Sequence, residues 1–192
     1  MAQRIAIFAS GAGSNAENII NYFRHNACGA EVVLVVSNRN DAGVLQRASH
    51  LGVPACVVSR ADINNPDIIL PLMDHYSVDV VVLAGFLLMV PVCLIERFHD
   101  RMVNIHPSLL PKFGGKGMYG RYVHEAVVAA GETESGITIH MVSERYDEGR
   151  ILYQGRVPVE PGDTPDEVES RVRALELEHY PRVIQQVFCT TE

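Results

Sequence analysis

Short apolar runs alternate along this chain with longer stretches whose apolar residues recur every three or four positions. Residues 4–8 (RIAIF) read as a first strand, followed by a glycine-rich turn and then residues 15–24 with apolar positions at helical spacing. Residues 31–37 (EVVLVVS), 54–58 (PACVV), 78–84 (VDVVVLA) and 102–105 read as four more strands, with helices predicted over 43–51 and between 66 and 75. Fully apolar strands separated by helices predict a parallel sheet covered on both faces. The pattern changes after Gly131. Residues 135–143 (SGITIHMVS) and 150–159 (RILYQGRVPV) predict two strands joined by a short loop, hence antiparallel. A closing helix runs from Thr164 to about Phe188, where Thr164 supplies a cap, Pro165 the first position and Asp166 and Glu167 the first-turn acids. The expectation is one α/β domain over residues 1–192: a Rossmann-like, mostly parallel sheet flanked by helices, with an antiparallel C-terminal hairpin.

Composition narrows the function. Hydrophobic residues make up 47% and charged residues 20%, ordinary for a globular protein, and a net charge of -7 argues against a general nucleic-acid binder because no basic stripe meets phosphates. Residues 80–95 (VVVLAGFLLMVPVCLI) carry no charge, yet they fall short of the roughly 20 residues needed to span a bilayer. Gly85 and Pro91 also interrupt them, so a strand, a loop and a helix are expected there. The start of the chain lacks a secretory pattern, and Cys28, Cys56, Cys93 and Cys189 show no CxxC spacing, so they read as reduced thiols of a cytoplasmic protein rather than a zinc or disulfide set.

Ligands of open α/β sheets bind beyond the carboxyl ends of the strands. Three segments fall at such ends: residues 10–15 (SGAGSN), 85–90 (GFLLMV) and 104–108 (NIHPS). In the first, glycines permit a sharp turn into a helix start, whose free N–H groups suit an anion. With Ala16 the loop matches a dinucleotide pattern, but Ser37-Asn38-Arg39 stands where that pattern expects an acid, so a phosphate site at Gly13, Ser14 and Asn15 fits better than a dehydrogenase. In the third, Asn104 and His106 alternate along an extended segment and share a face. An amide and an imidazolium there suit a developing oxyanion, and Asp147, in a turn between the late strands, is the carboxylate expected to raise the basicity of His106.

Residues 104–111 (NIHPSLLP) closely resemble the signature of the folate-dependent formyltransferases, with SGAGSN before it and residues 135–149 (SGITIHMVSERYDEG) after it in matching order. The resemblance runs from Arg4 to about Val187 and implies a formyltransferase fold, a phosphate-binding half at about residues 1–100 and a folate and catalytic half at about 101–192. It implies transfer of the formyl group of 10-formyltetrahydrofolate, a cosubstrate used without a metal, to the amine of glycinamide ribonucleotide in purine synthesis. Asn104 and His106 would stabilise the oxyanion. Asp147 would keep His106 cationic and help move a proton through water. Gly13, Ser14 and Asn15 would hold the substrate phosphate, and Glu176 the ribose, with Arg173 assisting. Leu87, Leu88, Met89 and Val90 would line the pterin pocket, largely through backbone groups, with His140 and Asn104 beside the cofactor. Only small-molecule partners are implied, in a cytoplasmic monomer or homodimer that binds neither nucleic acid nor membrane.

Two departures stand out. Leu88 occupies a position where many relatives carry Arg, and residues 113–127 (FGGKGMYGRYVHEAV) replace a PGLH-type loop, with a mobile glycine-rich cover expected over the substrates. Formyltetrahydrofolate hydrolases resemble the chain at the same trio but carry an extra N-terminal domain, for which a first strand at Arg4 leaves no room. Methionyl-tRNA formyltransferases add a C-terminal nucleic-acid domain, and sugar-amine formyltransferases are disfavoured by the phosphate loop. A catalytically dead nucleotide-binding module is opposed by the intact trio. His25, His50, His75, His99, His124 and His179 have no partners at metal spacing and read as surface or capping residues.

Overall fold

Among the described residues, 2–26 and 29–189 of a computed structural model, one sheet contains β1 (Gln3–Phe8), β2 (Ala30–Ser37), β3 (Ala55–Val57), β4 (Val80–Leu83), β5 (Met102–His106), β6 (Glu134–Met141) and β7 (Ile151–Pro158). Their order is β3-β2-β1-β4-β5-β6-β7. The first five strands run parallel; β6 pairs antiparallel with both β5 and β7. The expected parallel sheet and antiparallel end are therefore both present.

Period-two alternation sorts the strand residues into two cores. Ile5 and Ile7 of β1, Val80 and Val82 of β4, and Val103 and Ile105 of β5 pack under α1 (Ser14–His25), α2 (Gly43–His50) and α7 (Pro165–Phe188). Ala6, Phe8, Val81, Leu83 and Met102 face α3 (Arg60–Ile63), α4 (Pro66–His75) and α5 (Val92–Arg97) on the other side. Each strand is thus apolar on both faces because each face meets a helix layer. The uncharged segment at 80–95 resolves into β4, a loop and the start of α5, and no described helix is long and apolar enough to cross a membrane. Helix α3 and helix α6 (Arg121–Ala129) were not among the expected elements. α3 is a single capped turn with a Ser59–Asp62 capping box, too short to show periodicity.

Helix α7 closes the fold. Its N-terminus carries the Thr164–Glu167 capping box with Pro165 in the first turn. Further along, the fully buried Tyr180 donates its hydroxyl proton between the carbonyls of Leu83, at 2.8 Å, and Val103, at 3.2 Å. This pins α7 across the end of β4 and the middle of β5.

The turn after β5 is fastened from behind. Thr138 Oγ1 donates to the Ser108 carbonyl at 2.7 Å and accepts from the Leu110 N–H at 3.0 Å. Gln154 Nε2 donates to both the Leu110 carbonyl and Thr138 Oγ1. Thr138 is wholly buried, so Thr138→Val strands a buried N–H and a carbonyl, at a cost of about 1–3 kcal/mol. Chemical denaturation of the variant checks this as a lowered midpoint with an unchanged slope.

Candidate active site

The adjacent strands β1, β4 and β5 deliver their following loops to one edge of the sheet, where a cavity of about 710 Å³ opens. That volume suits a small-molecule site. Its walls include all three segments singled out at strand ends, together with one face of α7 through Glu169, Val172, Arg173 and Glu176.

The loop after β1 is shaped by contact with α2. Gly13 has φ +80°, and a Cβ there would lie 2.6 Å from Val44 Cα. The Gly11 carbonyl accepts from the Val44 N–H at 3.1 Å, and the Ala12 carbonyl accepts from Arg47 Nε at 2.8 Å. The carbonyls are thereby turned toward α2, while α1 begins at Ser14 without a side-chain cap. Its first-turn N–H groups, beside the cavity, are the donors an anion needs. Ser10 joins three loops: its N–H donates to the Gly85 carbonyl, its hydroxyl donates to Asn38 Oδ1, and its oxygen accepts from the Leu87 N–H at 2.9 Å.

Asn15 and Glu176 meet directly. Asn15 Nδ2 donates to Glu176 Oε2 at 2.9 Å, while Asn15 Oδ1 is buried with no partner among the described residues. Burial raises the Glu176 carboxyl above its ordinary range, opposed by Asn15 and Arg173. Asn15 thus keeps an acceptor that nothing among the described residues satisfies.

At the opposite end of the cavity, β5 register places Asn104 opposite His140 and His106 opposite Thr138. His140 Nδ1–H donates to the Met141 carbonyl at 2.9 Å, which leaves Nε2 to accept from Asn104 Nδ2 at 3.1 Å. Asp147 sits in the left-handed region at φ 56° and aims its carboxylate inward: Oδ2 accepts from the Gly115 N–H at 2.8 Å and lies 3.5 Å from His106 Nδ1, and Oδ1 lies 3.6 Å from His140 Nε2. Burial pushes the Asp147 carboxyl up, but His140, His106 and the Gly115 N–H together hold it below its ordinary value.

His106 departs from expectation. Its side chain is buried, and desolvation lowers its pKa below the ordinary 6.5 despite the opposing pull of Asp147 and the Phe113 carbonyl. The expected rise in basicity is reversed because Asp147 stands beyond close hydrogen-bond range while water is excluded. The Nε2–H donates to the Phe113 carbonyl at 2.8 Å, which leaves Nδ1 facing Asp147 Oδ2 at 3.5 Å. The glycine-rich segment is tied down at its start by this bond and by the Gly115–Asp147 bond, while Lys116, Met118 and Tyr119 line the cavity.

A family model described as Formyl transferase matches residues 3–184. This chain belongs to the formyl transferase family. It is 42% identical over 187 residues to the chloroplastic phosphoribosylglycinamide formyltransferase of Arabidopsis thaliana, which covers 95% of this chain but 64% of that relative. The chain therefore spans less than two thirds of the plant protein's length. It is 37% identical to phosphoribosylglycinamide formyltransferase of Haemophilus influenzae, over 95% of this chain and 86% of that one. The crystal structure of phosphoribosylglycinamide formyltransferase from Bacillus halodurans superposes with a TM-score of 0.89 at 32% identity, covering 99% of this chain and 97% of that one.

This formyl transferase family member brings Gly13, Ser14, Asn15, Arg173 and Glu176 to one end of the cavity wall, and Asn104, His106, His140 and Asp147 to the other. Leu87, Leu88, Met89 and Val90 line it too. The Leu87 N–H is already taken by Ser10, so the backbone groups of this segment are not all open to a ligand, and the Leu88 side chain packs partly against the core. Among the described residues no three His, Cys, Asp or Glu side chains are grouped to hold a metal. Cys56 and Cys93 are free thiols; Cys28 lies outside the described residues.

His124 corrects the sequence reading. It is 3% exposed, lines the cavity, and its Nδ1 has no partner among the described residues. Packing of α6 against α7 decided this, and the detectable signal was its place beside Val123 and Val127 on the buried face of α6. Burial also lowers the His124 pKa below 6.5. With His106 and His124 both harder to protonate when folded, the unfolded chain binds more protons as pH falls through about 6.5, so stability complete above that value declines below it. The raised Glu176 acts with the opposite sign, so the check is a difference: His124→Gln flattens the fall of melting temperature below about pH 6.5 relative to the parent chain.

Proposed function

We propose that this chain transfers the formyl group of 10-formyltetrahydrofolate to the amine of glycinamide ribonucleotide. The observation that carries the reading is a single cavity with an uncapped helix start and an unsatisfied Asn15–Glu176 pair at one end, and Asn104, His106 and Asp147 at the other. A phosphate on the Gly13–Asn15 turn and a ribose on Glu176, with Arg173 beside it, would direct the substrate amine along α7 toward His106. The formyl folate would enter past Leu87–Val90, with His140 holding Asn104 in place.

Amine attack on a formyl carbon needs alignment and oxyanion donors rather than a covalent enzyme intermediate. Asn104 keeps one amide proton beyond the one given to His140, and serves as the first donor. His106 becomes the second when the Phe113 carbonyl leaves Nε2, which couples opening of the glycine-rich segment to substrate binding. Asp147, held ionised, stabilises His106 as it charges and accepts a proton through water on its way to the leaving folate nitrogen. The chain acts as a single formyltransferase domain over residues 1–192, with the phosphate held chiefly by the half before about residue 100 and the chemistry carried by the half after. We place it in the cytoplasm as a monomer or homodimer acting on small molecules alone.

Deformylation of 10-formyltetrahydrofolate, followed spectroscopically, is expected only when glycinamide ribonucleotide is present. Equal turnover in its absence shows transfer to water and removes this reading.

A further inference from the structure

His124 is the one buried ring in the cavity wall whose nitrogen goes without a partner among the described residues, and nothing in the reaction above uses it. It lies in the first turn of α6, directly after the glycine-rich segment, and faces α7. Its Nδ1 is sealed from solvent. Its Nε2 has no hydrogen bond either, yet is not sealed, so that nitrogen is the one left to meet a ligand.

The charged groups acting on His124 are Glu169 of α7 and His106 of β5. Arg121, on its own helix, is occupied by Glu125 and Asp166, and Arg173, the next cation along α7, acts on Glu176. His124 and Glu169 line the same cavity as the Asn15–Glu176 pair and the His106–Asp147 pair. A substrate spanning those two pairs brings its amine into the cavity that His124 and Glu169 line. An α-amine of ordinary basicity, about 8, arrives mostly as ammonium at neutral pH and has no lone pair to attack with. A carboxylate followed by a neutral imidazole is the pair that draws in such a cation and relieves it of a proton.

We propose that His124 takes the proton of the incoming substrate ammonium, freeing the lone pair that attacks the formyl carbon, while Glu169 attracts that cation. This rests on the transfer proposed above. The proton leaves the ammonium nitrogen for His124 Nε2 and passes to solvent through the open cavity. The second proton lost by that nitrogen goes to the folate nitrogen as the carbon–nitrogen bond to folate breaks, so the overall transfer releases one proton.

The test is the pH dependence of kcat/KM for glycinamide ribonucleotide in the parent chain and His124→Gln, from about pH 6 to about pH 9.5, bracketing the ordinary amine value. His124→Gln is expected to lose about 10-fold near neutrality, where about a tenth of an amine of ordinary basicity is free, to recover as pH rises and free amine arrives, and to be partly rescued by added imidazole. A loss of equal size at every pH means a packing role and overturns the proposal, as does no loss. A parent chain that forms no formylated product overturns the transfer reading and this one together. Should the variant not fold, histidine-ring nitrogen NMR of the parent chain decides: saturating glycinamide ribonucleotide must shift the His124 resonances, and unmoved resonances overturn the assignment.

Discussion

His106→Ala is expected to lower the rate of formyl transfer by about 10²–10⁴-fold while the chain still folds. The ring is buried at the end of β5, and the strand it ends is held by pairing with β4 and β6 and by the Thr138 network, none of which uses the imidazole. On the proposed mechanism, the substitution removes a donor to the formyl oxygen and the ring that lies 3.5 Å from Asp147. Asn104→Ala is expected to cost about 10²–10³-fold, as for loss of one oxyanion donor. With both donating to the same oxygen in the proposed mechanism, the double variant should fall little below the worse single one. Steady-state kinetics give the answer: the loss belongs in kcat, since neither side chain is needed to hold the phosphate end. Turnover unchanged in His106→Ala removes the mechanism.

Gly13→Ala is expected to damage both stability and substrate affinity. The residue sits at φ +80°, and its missing side chain is the space that Val44 occupies, 2.6 Å from where a Cβ would stand. A left-handed backbone costs an alanine about 1–2 kcal/mol, and overpacking adds about 1–3 kcal/mol, so a total of roughly 2–5 kcal/mol is expected. In a chain of this size that lowers the melting temperature by on the order of 10 °C. Relief of the clash must also part the loop from α2, breaking the Gly11–Val44 and Ala12–Arg47 bonds that orient the first turn of α1. The KM for glycinamide ribonucleotide should therefore rise far more than that for the folate. A variant with parental melting and KM would show that the turn neither needs glycine nor holds the phosphate.

Much of the fold can be read from local pattern because periodicity needs only neighbours in sequence. The apolar runs at residues 4–8, 31–37 and 78–84 announce strands covered on both sides, and alternation at Asn104 and His106 puts their side chains on one face before any partner is known. Thr164 and Glu167 likewise declare where α7 begins. These are short-range preferences, and tertiary contacts had only to agree with them.

The energetics of the site were not local. Asn15 bonds Glu176 across 161 residues, and Asn104 bonds His140 because β6 runs antiparallel beside β5 in one particular register. The sequence by itself determined the layered α/β plan, the glycine turn and which polar side chains stand at strand ends. Only the tertiary structure decided how much water each would keep. Desolvation depends on everything packed around a group, which is why His106 is less basic than its pairing with Asp147 suggests, and why His124, taken for a surface residue, lies buried in the cavity wall with a nitrogen unmet.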